Sequence, residues 1–309
     1  MIGRRDRRGL VAAALLGFVA LPLAPGLSVP MHRGGHPAVI GVVAAENTWG
    51  SLAAQLGGRF VHVTSVITNP NADPHEYEAS TAVARAFGQA DYVILNGAGY
   101  DDWAAKILAA NPERHRHVFV VAQLLGKKPG DNPHFWYDPA DVSRVIDRIS
   151  SDYASLVPAD AAYFRRRLAA VEASFGPYRE LLDTIRDRDA GDKVASTESI
   201  FQYMAESLHL DLVTPYPFMQ AVADGYDPPV SAVATFERQI AGRDFRLLVY
   251  NTQTVTALTT NIRAQVAAKH IAVVGISETL RPPGTTFQEW MVSELSSISR
   301  ALASEPRGK

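Results

Sequence analysis

The residues best able to do chemistry in this chain are two histidines, each preceded by a proline in a polar loop. His75 lies in Asn71-Ala72-Asp73-Pro74-His75-Glu76-Tyr77-Glu78, just past the β-branched run Val61-His62-Val63-Thr64-Ser65-Val66-Ile67. His134 lies in Asp131-Asn132-Pro133-His134-Phe135-Trp136. Neutral imidazole is a good ligand for a divalent metal, and a loop at a strand's end can aim it into a cleft. With only nine histidines in 309 residues, two Pro-His loops point to a built site rather than scattered surface groups. Two acids occupy the same kind of place. Glu198 follows an expected strand ending at Ser196, and Glu278 follows one ending at Gly275. Two imidazoles and two carboxylates make a pocket suited to Zn²⁺, Mn²⁺ or Fe²⁺.

Each residue also has a plainer reading. A lone loop histidine is more often a surface or hydrogen-bonding group. Glu198 can simply favour a helix N-terminus, and Glu278 can be a solvated loop charge. Glu76, Glu78 and Asp138 are competing carboxylates, of which Glu76 and Asp138 suit bracing roles better. Trp49, Phe135, Trp136, Tyr216 and Phe218 can wall a cleft, although core packing is the default for such residues.

These candidates need strands to carry them. Short apolar runs at 39–43, 92–95, 117–121, 193–196, 210–213, 245–250 and 271–275, with the β-branched run at 60–67, read as strands of parallel sheets. Helical patterns between them give a βαβα rhythm, an α/β fold with helices covering the sheets. The rhythm breaks in the middle. A helix is expected over 140–153, and then a longer pattern runs from Pro158 through Ile185, with Pro177 set to bend it. The layout is a signal peptide at 1–28, an arm at 29–37 and an N-terminal α/β lobe at 38–157. A connecting spine helix at 158–188 and a C-terminal α/β lobe at 189–309 complete it. All four candidates lie beyond carboxyl ends of strands, two in each half, where ligands of such folds bind. Lobes that face each other bring them together in the cleft.

Composition narrows the function further. At 47% hydrophobic and 20% charged the chain can build a sizeable core, and its net charge of −2 offers no surplus for nucleic acid. Arg4, Arg5, Arg7 and Arg8 precede an apolar stretch from Leu10 to Ala24, the pattern of an export signal. Cysteine is absent, which excludes disulfides and thiolate metal sites. It also implies export without lipidation on an N-terminal cysteine, hence a protein free in the periplasm. There is no nucleophilic cysteine, no Gly-x-Ser-x-Gly elbow and no phosphate-cradling loop. The Gly-rich Asn96-Gly97-Ala98-Gly99 reads as a tight turn, because it lacks the dinucleotide spacing. The rival from another class is an exported metalloenzyme, a hydrolase with Glu76 as general base and an open coordination position.

At these residues the chain resembles the metal-binding, cluster A-I solute-binding proteins of zinc and manganese ABC importers. The resemblance spans nearly all of the mature chain. It runs through Glu46-Asn47-x-Trp49, Asp73-Pro74-His75-Glu76-Tyr77-Glu78, Asn96-Gly97 before Trp103, and Asn132-Pro133-His134-Phe135-Trp136. It continues through Glu198-Ser199-x-Phe201-x-Tyr203 and Ser277-Glu278-Thr279. The resemblance implies two α/β lobes joined by one long rigid helix, with metal ligands at His75, His134, Glu198 and Glu278. It implies a non-enzymatic, monomeric receptor that delivers a divalent cation to a membrane permease and its ATPase. The fourth position is usually Asp in that family and is Glu here, which bears on coordination geometry. The family's dedicated zinc importers often carry a His-rich acidic loop between the two histidine motifs, where this chain has only His115-Arg116-His117. Two carboxylates lean toward manganese, whereas affinity order leans toward zinc, so Zn²⁺ and Mn²⁺ both stay open. A metal-buffering or adhesin-like protein without a permease is a third reading.

Overall fold

The structure is a computed structural model that describes residues 39–304. The export signal, the arm and the last five residues lie outside the described residues. The first sheet holds β1 (Ile40–Glu46), β2 (Val61–Ile67), β3 (Tyr92–Leu95) and β4 (His117–Val120), in the order β2-β1-β3-β4. The second holds β5 (Lys193–Ser196), β6 (Asp211–Leu212), β7 (Leu247–Asn251) and β8 (Ala272–Ile276), in the order β6-β5-β7-β8. Every pairing is parallel. The protein is therefore α/β, with two four-stranded parallel sheets of matching order, each covered by helices.

The burial of each strand follows its place in the sheet. β3 is central and buried throughout, and β1 nearly so, so both read as unbroken apolar runs. β2 is an edge strand that alternates between partly buried and exposed positions, with His62 on its exposed face. Strand order reverses between β2-β1 and β3-β4, and likewise between β6-β5 and β7-β8. A crevice forms outside the carboxyl ends at such switch points.

The middle differs from the sequence expectation in one respect. The helix expected over 140–153 spans Pro139–Leu156, started by Asp138, whose side chain accepts from the N–H groups of Ala140 and Asp141. The single spine helix expected over 158–188 is instead two helices, Ala161–Ser174 and Gly176–Asp189, meeting at Phe175. Pro177 explains the break, since its ring would clash with the carbonyl one turn earlier and it lacks an N–H to give. Phe175 fills the joint, packed on Tyr178 and on Phe287 of the closing helix Phe287–Ser304. One apolar core runs from Val42 and Trp49 through Phe164 and Ile185 to Val249, Ile276 and Trp290, so the two sheets share it. Two short helices, Val121–Leu125 and Tyr216–Ala223, went unread in the sequence. Among the described residues no helix is long and apolar enough to cross a membrane.

Candidate metal centre

All four candidate residues stand past carboxyl ends of strands. His75 sits in the turn Pro74–Glu76, where Asp73 folds back to accept from the His75 N–H at 2.9 Å. Pro74 sets the backbone ahead of it, so the loop presents the imidazole in a fixed direction. Glu198 and Glu278 each lie two residues past a strand, β5 and β8. Three of the four converge. His75, His134 and Glu278 each offer a ligand atom within 4.8 Å of the others. Glu278 Oε2 lies 3.5 Å from His75 Nε2 and 3.6 Å from His134 Nε2. His134 and Glu278 are fully buried, whereas the His75 side chain is 25% exposed and forms the corner open to solvent. Glu198, also fully buried, stands outside this tight trio. It is joined to the trio by Asn251, whose Nδ2 donates to Glu198 Oε1 at 2.7 Å and to Glu278 Oε1 at 2.5 Å.

The tautomer of His134 follows from its neighbours. Asn132 Nδ2 donates to the Ser199 carbonyl, which leaves Asn132 Oδ1 as the acceptor facing His134 Nδ1 at 2.7 Å. In the neutral imidazole Nδ1 therefore carries the proton and Nε2 keeps a lone pair. That Nε2 is buried without a hydrogen-bond partner, and 3.6 Å to Glu278 is too long for one. An orphaned, buried imidazole nitrogen aimed at a carboxylate is what a bound cation would satisfy. The spacing fits as well. Two donors on a tetrahedral zinc at bond lengths of about 2.0–2.1 Å lie roughly 3.4 Å apart, close to the separations seen here.

Charge is balanced locally. Burial alone would push the Glu278 carboxyl up, but the imidazoles of His75 and His134 and the Tyr100 hydroxyl outweigh it and hold it at about 2. Burial lowers the His134 pKa, yet Glu198, Glu278 and Asp73 together raise it above the ordinary value. Burial pushes Glu198 up, eased by His134 and reinforced by the negative charge of Glu278. One carboxylate is thus firmly ionised and the other is held less so.

Tyr100 and Asp101, which no sequence motif singles out, hold this arrangement together with Asn47, Trp49 and Asn96. Tyr100 donates to Glu278 Oε2 at 2.5 Å, and its ring stands edge-on to His75 and Trp136. The turn that carries it is pinned by Asp101, which accepts from the N–H groups of Asn96 and Gly97. Gly97 is at φ 77°, which explains the Asn96-Gly97 turn. Trp49 Nε1 donates to Asn96 Oδ1, and Asn96 Nδ2 donates to the Pro133 carbonyl beside His134. Asn47 Oδ1 accepts from the Leu280 N–H of the opposite lobe. Asn47 and Trp49 of the Glu46-Asn47-x-Trp49 motif are therefore scaffolding for the His134 loop and the Glu278 loop. A cavity of about 200 Å³ leads in from solvent past His75, Tyr100, Asn132, Tyr216 and Asp224.

Comparison with known proteins agrees with this architecture. Residues 42–301 match the family described as "ZnuA: Zinc-uptake complex component A periplasmic". The chain belongs to this family, whose members are solute-binding proteins. It is 24% identical over 184 residues to the manganese-binding lipoprotein MntA of Halalkalibacterium halodurans, over 56% of this chain and 59% of that protein. It is 25% identical over 156 residues to the iron-binding protein YfeA of Yersinia pestis, covering 47% and 50% of the two chains. The chain thus spans about half the length of these curated relatives. Its fold is similar to that of the periplasmic zinc-binding protein TroA from Treponema pallidum, with a TM-score of 0.71 at 16% identity. That likeness covers 86% of this chain and 99% of TroA.

Proposed function

We propose that this protein is the extracytoplasmic solute-binding component of a metal ABC importer. It captures one divalent transition-metal ion, zinc or manganese, in the cleft between its lobes and hands it to a membrane permease driven by an ATPase. It works in the periplasm as a monomer and performs no chemistry on its cargo. The observation that carries the reading is the buried His134 Nε2, without a hydrogen-bond partner, 3.6 Å from an ionised Glu278 and accompanied by His75.

In this reading His75, His134 and Glu278 form three corners of the coordination shell, and Glu198, tied to Glu278 through Asn251, closes the fourth by a small rotation that keeps that tie. The two carboxylates offset the ion's charge, and the imidazoles supply directional bonds. His75, the exposed corner, meets the ion first. A core shared by both lobes, with a two-helix spine packed into it, favours small loop rearrangements over wide hinge closure. Metal-stripped protein titrated with zinc and manganese by calorimetry is expected to bind one ion per chain. His75→Ala is expected to weaken binding by at least about 100-fold, roughly 2.7 kcal/mol. No binding of either ion by the wild-type protein, or wild-type affinity in the variant, would overturn the reading.

A further inference from the structure

We infer that Asn251, with Tyr100, is the positioning device that sets metal selectivity. The pair holds the site's carboxylates in a one-oxygen mode that favours zinc over manganese. The inference rests on the metal-receptor reading and deepens it.

Asn251 is the last residue of β7 and is fully buried. Its Oδ1 accepts from the Gln253 N–H at 2.9 Å, which fixes the orientation of the amide. Its Nδ2 therefore faces the two glutamates, at 2.7 Å from Glu198 Oε1 and 2.5 Å from Glu278 Oε1. An amide nitrogen has two hydrogens, and two carboxylates use both. Thr254 Oγ1, at 3.1 Å, is a third and longer neighbour. The other carboxylate oxygens are also held. Glu198 Oε2 accepts from the Ile200 N–H at 3.1 Å, and Glu278 Oε2 accepts from the Tyr100 hydroxyl at 2.5 Å. Of these four oxygens, Glu278 Oε2 faces both imidazole nitrogens.

This bonding restricts how a cation can be coordinated. Glu278 points Oε2 at the imidazoles and Oε1 at Asn251, so chelation with both oxygens requires the carboxylate to rotate, which strains the charge-assisted bonds from Asn251 and Tyr100. Single oxygens and two imidazoles suit four-coordinate zinc. Manganese suits an oxygen-rich, higher-coordinate shell, which needs the second carboxylate oxygens or water. The clamp therefore penalises manganese more than zinc, over and above the intrinsic affinity order. It also keeps the two carboxyl groups together before the ion arrives, so the site is organised in advance.

The test compares the full chain with Asn251→Ala and with Tyr100→Phe, which removes only a hydroxyl. Zinc and manganese affinities are measured by chelator competition, and visible absorption of the Co²⁺-loaded proteins reports coordination number. In Asn251→Ala the ratio of manganese to zinc dissociation constants is expected to fall by at least about tenfold. The intense four-coordinate Co²⁺ bands should weaken, and Tyr100→Phe should move both readouts the same way by less. Should Asn251→Ala fail to fold, Tyr100→Phe decides by the same two readouts. A ratio within threefold of the wild type with an unchanged Co²⁺ spectrum would overturn the inference, even if both affinities fell in parallel. A wild-type protein that binds neither zinc nor manganese would instead defeat the receptor reading itself, and this inference with it.

Discussion

Glu278→Asp is the most discriminating single change, because it restores the acid usual at this position in the family and should nevertheless weaken binding. Removing one methylene shortens the side chain's reach by about 1.5 Å, one carbon–carbon bond. The carboxylate oxygen now 3.5 and 3.6 Å from the two imidazole nitrogens would retreat to as much as about 5 Å. Metal–ligand distances tolerate only about 0.2 Å. The backbone cannot follow to make up the difference. The N–H groups of Glu278 and Thr279 both donate to Gln253 Oε1, Tyr137 donates to the Ser277 carbonyl at 2.7 Å, and the Leu280 N–H donates to Asn47. The variant also gives up the bonds from Tyr100 and Asn251 to Glu278, each worth about 1.5–3 kcal/mol to an ionised partner. Zinc affinity, measured by competition against a chromophoric chelator, is expected to fall by at least about 100-fold, or roughly 2.7 kcal/mol. The apo protein should also unfold at lower denaturant concentration. An affinity within threefold of the wild type would refute the reasoning, by showing either that Glu278 is not a ligand or that its pinned loop moves freely.

Two further changes probe the surroundings. Asn132→Ala removes the acceptor that keeps the His134 proton on Nδ1, so metal affinity should drop about 10- to 100-fold while the fold, followed by circular dichroism, persists. Burial pushes the Glu294 carboxyl up to about 7, against the bonds it accepts from Ser277 and Trp290. Between the unfolded carboxyl range, about 4.3, and pH 7, the folded apo protein holds a proton that the unfolded chain has released. Stability should therefore fall as pH rises through that window, by about 2 kcal/mol after allowance for this residue's partial exposure. Glu294→Gln should flatten the fall, as read from chemical denaturation at a series of pH values; an unaltered pH profile would contradict the assignment.

Much of the fold was legible because its signals are local. The strand expected over 60–67 spans Val61–Ile67, and the halves of the chain do repeat one strand order. The break in the spine was partly legible, since Pro177 announces a bend but not that Phe175 fills the joint. Val121–Leu125 is too short for a 3.6-residue period to emerge, and the prolines at 215 and 217 disguise Tyr216–Ala223. In the site, the histidines and acids were found because they follow strands. The same rule reaches Asn251, which ends a strand read as stopping at Tyr250, and Tyr100, which follows the turn after β3. Neither is a typical metal ligand, so residue type gave no reason to single them out.

The sequence by itself determined which side chains stand at the carboxyl ends of strands, because strand propensity, turn residues and parallel connectivity act over short stretches of chain. It could not place those side chains relative to one another. Glu198 and Glu278 look alike as strand-end acids, yet only Glu278 lies within ligand distance of both imidazoles. That choice depends on how far each loop reaches across the cleft, and on Asn251 and Tyr100 meeting the carboxylates from elements remote in sequence. Such contacts depend on three-dimensional distance, which only the packing of the two lobes on their common core decides.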